Sequence, residues 1–535
     1  MALCYRNFFR SFLANFQNYS LIHLKFNKFF SKISVEFQNK PTKFINYIWP
    51  INSAELPKFL SITLLMFCIL CIQNLIRALK DSIVNTMIGP ETISFLKFWG
   101  VMPAAFCFTI VYVKLVSSIK SEYIFYLIIS LFLTFFALFA FYIFPNHQLL
   151  HLSTDHAQQL ISNYPNFKWF ILLLSNWSFS LFYIIAELWP NVVFALLFWQ
   201  FVNTITNVEE STRFYPLFGL LGQTGLYVSG QFLSNLADIN QYFALQFNLS
   251  LLLDHVLSIQ IILITVLILG IIALFIFWLL NHKILEASAV EQLKFKPGKI
   301  QVGLRESLRM VLSSRYIMLI TILLVCYGLA INLVEGPWKA MAAKVYTTPT
   351  EFASFVGGYL KYTGIFTVGF VILGSSIVRT LGWYTAAIIT PIMVLVTGLL
   401  FFTIANFQVA ATLIVATFVF TDPAVMAVTI GAIQNVLSKS SKYTLFDSTK
   451  EMSYVPLDDD LKTKGKAAAD VIGTKIGKST SALLQSLIFM ILPTASYQSI
   501  SIYLMMIFTM VCVLWIWGVG ELDTEYKTVI EKTNK

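Results

Sequence analysis

The chain has 535 residues, of which 57% are hydrophobic and only 12% are charged. Soluble domains average about 25% charged residues, so the composition excludes a soluble globular protein and indicates a polytopic membrane protein. The formal charge of +10 does not indicate a nucleic-acid partner, because the basic residues are spread over short loops beside apolar segments.

Residues 1–58 are aromatic and basic, and they contain no apolar stretch of signal-peptide length. We interpret this segment as a cytoplasmic tail whose lysines and phenylalanines lie on anionic lipid. A transit peptide has a similar composition and is the alternative interpretation.

Apolar windows that are long enough to cross a bilayer as helices follow the tail. Windows of this length, without alternation of apolar and polar residues, exclude a transmembrane barrel, so the predicted fold is all-α. The fourth and tenth windows are predicted to be single helices, kinked at Pro190 and Pro423. The twelve windows are 59–80, 94–117, 122–144, 168–204, 212–236, 255–281, 315–338, 352–376, 382–404, 409–436, 466–492 and 499–519.

A polar linker, residues 282–314, divides these windows into an N-terminal half (59–281) and a C-terminal half (315–519), which is followed by a tail (520–535). Two six-helix halves predict a major-facilitator-like bundle with a solute site between the halves near mid-depth. Lys and Arg are concentrated in the tails, the linker and the connections after even-numbered windows, which predicts that these segments are cytoplasmic.

The first and seventh windows end in similar segments, "NLIRALKD" (Asn74–Asp81) and "NLVEGPWK" (Asn332–Lys339), which suggests a duplicated half. Ionisable groups at membrane depth are costly, so they mark a solute path. Cations outnumber acids there, which favours a solute with phosphate or carboxylate groups. The candidates are Arg77, Lys80, Asp81, Lys97, Glu187, Glu335, Lys361, Asp422, Lys464, Lys466, Asp470, Lys475 and Lys478.

Some of these charges have a purely structural alternative. Lys97, with Lys114 and Lys120, is expected to extend to the lipid headgroups. Glu335 and Lys339 are four residues apart and are in position to pair along one helix face. Glu187 has no charged residue within a turn of its own helix, so its partner must lie on another helix or be a ligand.

The stretch "KTKGKAAADVIGTKIGKSTSALLQ" is the densest concentration of such charges. It is not a phosphate-binding loop of the Walker type, because only three residues separate Gly473 from Gly477 and no strand is predicted before them. We predict a helix that enters the membrane from the cytoplasm with lysines in its first turns, where a bound anion would offset their repulsion by the helix dipole. A positively charged cap before an ordinary span is the alternative.

Cys68 and Cys71 have the C-x-x-C spacing, but both lie inside the first window. We expect buried thiols and neither a metal site nor a redox pair. No metal, cofactor or catalytic residue is predicted.

Several segments resemble the ATP/ADP translocase family of obligate intracellular bacteria and plastids. They include "RALKDSIV", "FYIIAELWPNVV", "INLVEGPWKA" and "SKYTLFDSTKEMSYVPLDDDLKTKGKAAADVIGTKIGKS". The resemblance extends from about residue 48 to the end, and its last segment is the most specific. Pro337 departs from the commonest plastid pattern.

The resemblance implies a secondary transporter that exchanges external ATP for internal ADP by alternating access, with phosphate as a further candidate substrate. It implies a monomer in the bacterial inner membrane, or in the plastid inner envelope as the alternative. It also implies essential charges at Lys80, Glu187, Glu335 and one lysine of "KGKAA", with Lys464 preferred over Lys466. The predicted substrate-binding set is Lys80, Glu187, Glu335, Lys464, Lys466, Arg77 and Asp470.

Within this set, we predict that Lys80 and Lys464 bind the phosphates, and that Glu187 and Glu335 pair with these lysines when the site is empty. Alternatives are a transporter of GTP/GDP, CTP or UTP in the same family, and a phosphate or sugar-phosphate exchanger. An enzyme acting on phosphorylated lipid would need an acid–base or nucleophile set at an interface, whereas the six His lie in loops, in tails or near the ends of windows.

Overall fold

The computed structural model describes residues 51–246, 254–285, 304–407, 422–458 and 461–533, and in these ranges it is almost entirely helical and contains no strand. Its long helices follow the order of the predicted windows. They are α1 Leu56–Ile88, α2 Thr92–Val116, α3 Glu122–Ile143, α4 Trp177–Ile205, α5 Val208–Ser234, α6 His255–Ile284, α7 Arg315–Val345, α8 and α9 as two parts of Pro349–Asn406, α10 Pro423–Ser441, α11 Lys466–Ile491 and α12 Tyr497–Glu531.

Eight helices in the described ranges are long and apolar enough to cross a membrane. The helices α5, α8, α10 and α11 carry more polar residues and pack against these eight. α8 and α9 form one helical run that bends at Gly382, whose φ of 83° lies in the left-handed region that favours glycine. The predicted all-helical membrane fold is confirmed.

The prediction of one bent helix over 168–204 is wrong. Residues Lys168–Ser175 form a separate short helix, and α4 begins at Trp177. The break lies at Asn176, whose side-chain amide donates to the carbonyl of Leu172 at 2.9 Å. The backbone N–H of Asn176 donates to the same carbonyl at 3.1 Å, and the non-helical ψ of 45° at Asn176 ends the short helix.

The prediction of a kink at Pro423 is also wrong. α10 begins at this proline, and the Asp422 carboxylate accepts a hydrogen bond from the backbone N–H of Ala424 at 2.8 Å. Aspartate at the N-cap followed by proline in the first turn is a favourable helix start. Residues 408–421 of the tenth window lie outside the described residues.

The end of the bundle at which α1, α5, α7 and α11 begin is called the basic face. Ion pairs here join helices of the same half: Lys58 to Glu210 at 2.7 Å, and Arg315 of α7 to Glu521 of α12 at 2.6 Å. The two hydrogen bonds from Arg213 lower the pKa of Glu55, just before α1. Residues 1–50 and 286–303 lie outside the described ranges, so the cytoplasmic assignment of this face stays a prediction.

The other end is called the opposite face, and there the two halves are joined. Thr350 of α8 donates to Ser258 of α6 at 2.9 Å, and the backbone N–H of Tyr497 donates to Glu91 at 3.2 Å. Further hydrogen bonds between the halves, donated by Lys97 and Lys339, lie deep in the bundle. The halves are therefore closed against each other toward the opposite face.

Candidate functional site

The two repeated segments meet in the centre of the bundle. Asp81 of α1 and Lys339 of α7 are buried, with 2% and 5% of their surfaces exposed, and their charged groups lie 2.8 Å apart. Breaking such a buried pair by removing one partner typically costs about 3–5 kcal/mol, because a charge is then left without compensation. This pair links the N-terminal half to the C-terminal half.

The positive charge of Lys80 is compensated by partners within the N-terminal half. Its ammonium lies 2.8 Å from Asp81 and 3.1 Å from Glu187 of α4, and it sits 3.9 Å above the ring centre of Tyr183. Two carboxylates and an aromatic face compensate the desolvation of a buried ammonium. The partner that Glu187 lacks on its own helix is therefore Lys80 of α1.

Glu335 connects the halves a second time. It pairs with Lys339 on its own helix at 2.9 Å and with Lys97 of α2 at 3.4 Å. Lys97 also donates to the amide oxygen of Asn332 at 2.8 Å. The expectation that Lys97 reaches the headgroups is wrong, because α2 begins directly after the turn at Gly89 and directs this side chain at α7.

Together these residues form a chain of ion pairs, called here the clasp. The order of the pairs is Glu187, Lys80, Asp81, Lys339, Glu335 and Lys97. The chain draws on four helices and crosses between the halves twice. Such an arrangement holds the halves together and is sensitive to any competing charge.

The other predicted residues lie elsewhere. Lys466 pairs with Glu451 toward the basic face, and Asp470 pairs with Lys450 at 3.2 Å, so neither joins the clasp. Burial raises the pKa of Glu451, but the hydrogen bonds from Lys466 and Lys450 outweigh it and hold this pKa below its ordinary value. The backbone of Lys464 is helical, and its side chain lies outside the described part of the structure.

Arg77 lies on α1 one turn before Asp81 and is half-buried. Its strongest electrostatic neighbours are Glu187, Glu335 and the hydroxyls of Tyr443 and Tyr359. The structure thus brings Lys80, Glu187, Glu335 and Arg77 into one region.

The predicted set omits three members of the clasp, Asp81, Lys97 and Lys339. A signal for two of them is present in the repeat, where Asp81 and Lys339 occupy the same position with opposite charge. Two lysines of the segment that starts with α10 also lie in this region. Lys439 interacts electrostatically with Arg77, and Lys442 interacts with Lys478.

A small pocket lies between the clasp and the opposite face. It is lined by polar groups of both halves, including Ser94, Lys97, Asn332 and Glu335. Tyr497 closes it by donating its hydroxyl to Gln485 at 2.8 Å. Among the described residues no group of His, Cys, Asp and Glu is arranged to hold a metal ion.

The family model described as "TLC ATP/ADP transporter" matches residues 35–526. The chain belongs to this family. Its curated relatives include proteins named "ADP,ATP carrier protein 4" from Rickettsia bellii (68% identical, 91% of this chain and 94% of the relative) and Rickettsia prowazekii (66%; 95% and 98%). "ADP,ATP carrier protein 3" of Rickettsia typhi is 44% identical over 90% of this chain and 97% of its own length.

Two solved structures share the fold. One is a point mutant of the nucleoside transporter NupG (TM-score 0.55, 10% identical, 87% of this chain and 99% of that one), and the other is a bacterial homologue of the iron transporter ferroportin in an inward-facing state (0.54, 14%, 85% and 99%). At such identities the likeness shows the architecture alone. The family model, the Rickettsia carrier relatives and the apolar helices together make this chain a multi-pass transporter of the bacterial inner membrane and not an enzyme.

Proposed function

We propose that this transporter exchanges external ATP for internal ADP by alternating access. The observation that carries the proposal is the clasp, because Lys80, Glu187 and Glu335, the positions implied for the family, belong to one chain of ion pairs that crosses twice between the halves. The family model and the names of the Rickettsia relatives supply the substrate class.

In this proposal the clasp slows the reorientation of the empty carrier. Opening the opposite face requires Asp81 to separate from Lys339 and Glu335 to separate from Lys97. A nucleotide that binds the carrier while these pairs are broken lowers the barrier, because only differential binding between states shifts the equilibrium. Obligatory exchange follows if the empty carrier keeps its pairs and the loaded one releases them.

Within this cycle we assign Glu187 and Glu335 to the switch and Lys80 to the phosphates in the state in which the clasp is open. Lys464 is proposed as the second phosphate ligand, from the family resemblance. Lys466 and Asp470 are proposed to order the basic end of α11 through their pairs with Glu451 and Lys450. Phosphate as a co-substrate and a monomeric carrier are part of the same proposal.

Other ribonucleotides are the second candidate, because charged residues of the clasp recognise phosphates and not bases. The test is uptake of radiolabelled ATP by bacterial cells that express the chain, followed by efflux on addition of ADP. GTP, CTP, UTP and phosphate are added as competitors. If the labelled nucleotide is released on addition of ADP and not of the other competitors, the proposal is supported. If uptake is blocked only by another nucleotide, that nucleotide is the substrate.

Lys80→Gln should lower uptake by at least about tenfold, as expected for a lost charged hydrogen bond. Lys527→Gln is the matched control, because the Lys527 side chain is 67% exposed and, among the described residues, pairs only with Asp523 along α12. Unchanged uptake by Lys80→Gln at normal protein level would contradict the role of this lysine.

A further inference from the structure

Three cations near the clasp have no acidic partner among the residues that the structure describes. They are Arg77 of α1, Lys439 of α10 and Lys478 of α11, and no described carboxylate lies within ion-pair distance of them. The carboxylates that attract them most strongly are Glu187 and Glu335, and both already pair with lysines of the clasp. These three residues are called here the free triad.

Arg77 repels both of the other members of the triad. Arg77 is among the strongest electrostatic neighbours of both Lys439 and Lys478. The ammonium of Lys439 lies 4.9 Å from the ring centre of Tyr359, which partly compensates its burial. An arrangement of like charges from three helices is unfavourable unless a ligand offsets it.

Lys478 lies where α11 packs against α7. Its backbone packs against α7, where a Cβ on Gly328 would lie 3.2 Å from the backbone nitrogen of Lys478. The side chain is nevertheless exposed, and its electrostatic neighbours Glu187, Arg77 and Lys97 belong to three helices of the other half. It therefore lies on the side of α11 that is turned toward the N-terminal half.

The region as a whole carries an excess of positive charge. The clasp has three lysines and three carboxylates, so it is formally neutral. The triad adds three positive charges beside it that no described carboxylate pairs with. A solute with several negative charges in a short row, such as a polyphosphate, matches this excess, and the planar guanidinium can bind two of its oxygens at once.

We propose that Arg77, Lys439 and Lys478 form the polyphosphate-binding site of the carrier in the conformation that is closed toward the opposite face. This inference rests on the proposed nucleotide exchange and adds the residues that hold the substrate before the clasp opens. It includes two cations, Lys439 and Lys478, that lie on helices of the C-terminal half and face Arg77 of the N-terminal half.

The position of the triad couples binding to the clasp. A polyphosphate held there acts on Glu187 and Glu335, which are the acids that interact most strongly with the triad. It repels these carboxylates and attracts their lysine partners, so each ion pair of the clasp is weakened. The substrate thereby favours the conformations in which the halves separate.

The experiment measures the thermal unfolding of the purified full-length transporter in detergent, with and without ATP, ADP, adenosine and inorganic tripolyphosphate. The variants are Arg77→Gln, Lys439→Gln and Lys478→Gln. The control is Lys527→Gln, because the side chain of Lys527 is 67% exposed on α12, where it pairs with Asp523 and lies outside the clasp and the triad.

We expect ATP, ADP and tripolyphosphate to stabilise the wild type and the Lys527 control, and adenosine to have a much weaker effect. Each triad variant should bind ATP at least about tenfold more weakly, as expected for one lost charge-assisted hydrogen bond. Without ligand, each variant should melt at the same or a higher temperature than the wild type, because one repulsive charge is removed.

The outcomes separate the two proposals. If ATP and ADP neither stabilise the wild type nor exchange across the membrane, the proposed function fails. If the wild type binds nucleotide and the three variants bind it equally well, the triad is not the site and only this inference is overturned. A variant that melts lower than the wild type without ligand and responds normally to ATP has lost a structural residue, which also overturns it.

Discussion

Asp81 and Lys339 occupy the same position in the two halves and bind each other. Each is the last residue of its repeat, seven residues after Asn74 and Asn332, and their charged groups lie 2.8 Å apart in the interior. An exact duplication would place two like charges against each other at this interface. The inversion of charge within the repeat converts that repulsion into the central pair of the clasp.

This relationship predicts strong coupling between the two residues. Asp81→Asn and Lys339→Gln should each lower the free energy of unfolding by about 3–5 kcal/mol, because each leaves a buried charge without its partner. The double variant should lose much less than the sum, since Lys80 keeps Glu187 and Glu335 keeps Lys97. A double-mutant cycle on denaturant unfolding in detergent measures the coupling, and strictly additive losses would refute it.

Glu335 is predicted to control exchange more than stability. Glu335→Gln removes the carboxylate that pairs with Lys97 and Lys339, so the empty carrier should reorient faster. A loss of about 1.4 kcal/mol from the barrier corresponds to a roughly tenfold rise in the rate. The measurement is net uptake of ATP into vesicles without internal nucleotide, compared with uptake against internal ADP.

Glu335→Asp is the matched variant for this prediction, because it keeps the charge and shortens the side chain. It should retain more exchange than Glu335→Gln at equal protein level. If both variants lose folded protein and transport in parallel, the carboxylate has only a packing role.

Glu91 is predicted to hold the opposite face shut. Its carboxylate accepts the backbone N–H of Tyr497 at the start of α12, so an acid of one half caps a helix of the other. An anion at a helix N-terminus contributes about 1 kcal/mol, which is roughly a fivefold change in an equilibrium. Glu91→Gln should therefore increase the population that is open toward this face by a few-fold.

Labelling by a membrane-impermeant maleimide tests this prediction. The reporter is Ser94→Cys, because Ser94 is 2% exposed and lines the pocket behind Tyr497. Exposed Cys107 is first replaced by serine. The control is Asp155→Asn, an exposed acid in the first turn of Thr154–Asn163. Equal labelling rates in the Glu91 and Asp155 variants would show that Glu91 does not hold the opposite face closed.

The helices are largely predictable from the sequence, because a bilayer requires long apolar runs. The ends of the helices are less predictable. The sequence predicts that the first window ends at residue 80, whereas α1 continues to Ile88. Hydropathy treats Lys80 and Asp81 as polar residues that end a span, but in the fold each is neutralised by partners and the helix continues past them. Cys68 and Cys71 are buried free thiols, as expected.

The site is only partly predictable, because its pairs depend on packing between distant segments. Lys97 and Glu335 are 238 residues apart, and only the fold shows that α2 directs Lys97 at α7. The intramembrane position of a charge is visible in the sequence, but its partner is not. For the same reason the sequence does not separate Lys466 from the central residues, since its pairing with Glu451 depends on how α11 packs.

The last prediction concerns the contact that places Lys478. Gly477 of α11 lies against Gly328 of α7, and a Cβ on Gly477 would lie only 2.8 Å from the carbonyl oxygen of Val325. The obstructing atoms belong to the backbone, so Gly477→Ala must push the helices apart, at a cost of about 1–3 kcal/mol. Gly369→Ala is the control, because nothing lies within 4 Å of its added Cβ. The Gly477 variant should unfold at a lower temperature than the wild type and, because Lys478 moves with it, gain less stability from ATP.

The Gly369 variant should match or exceed the wild type, since alanine favours the helix by up to about 1 kcal/mol. Equal behaviour of the two variants would show that α7 and α11 are free to separate, and the positioning of Lys478 by this contact would then be wrong.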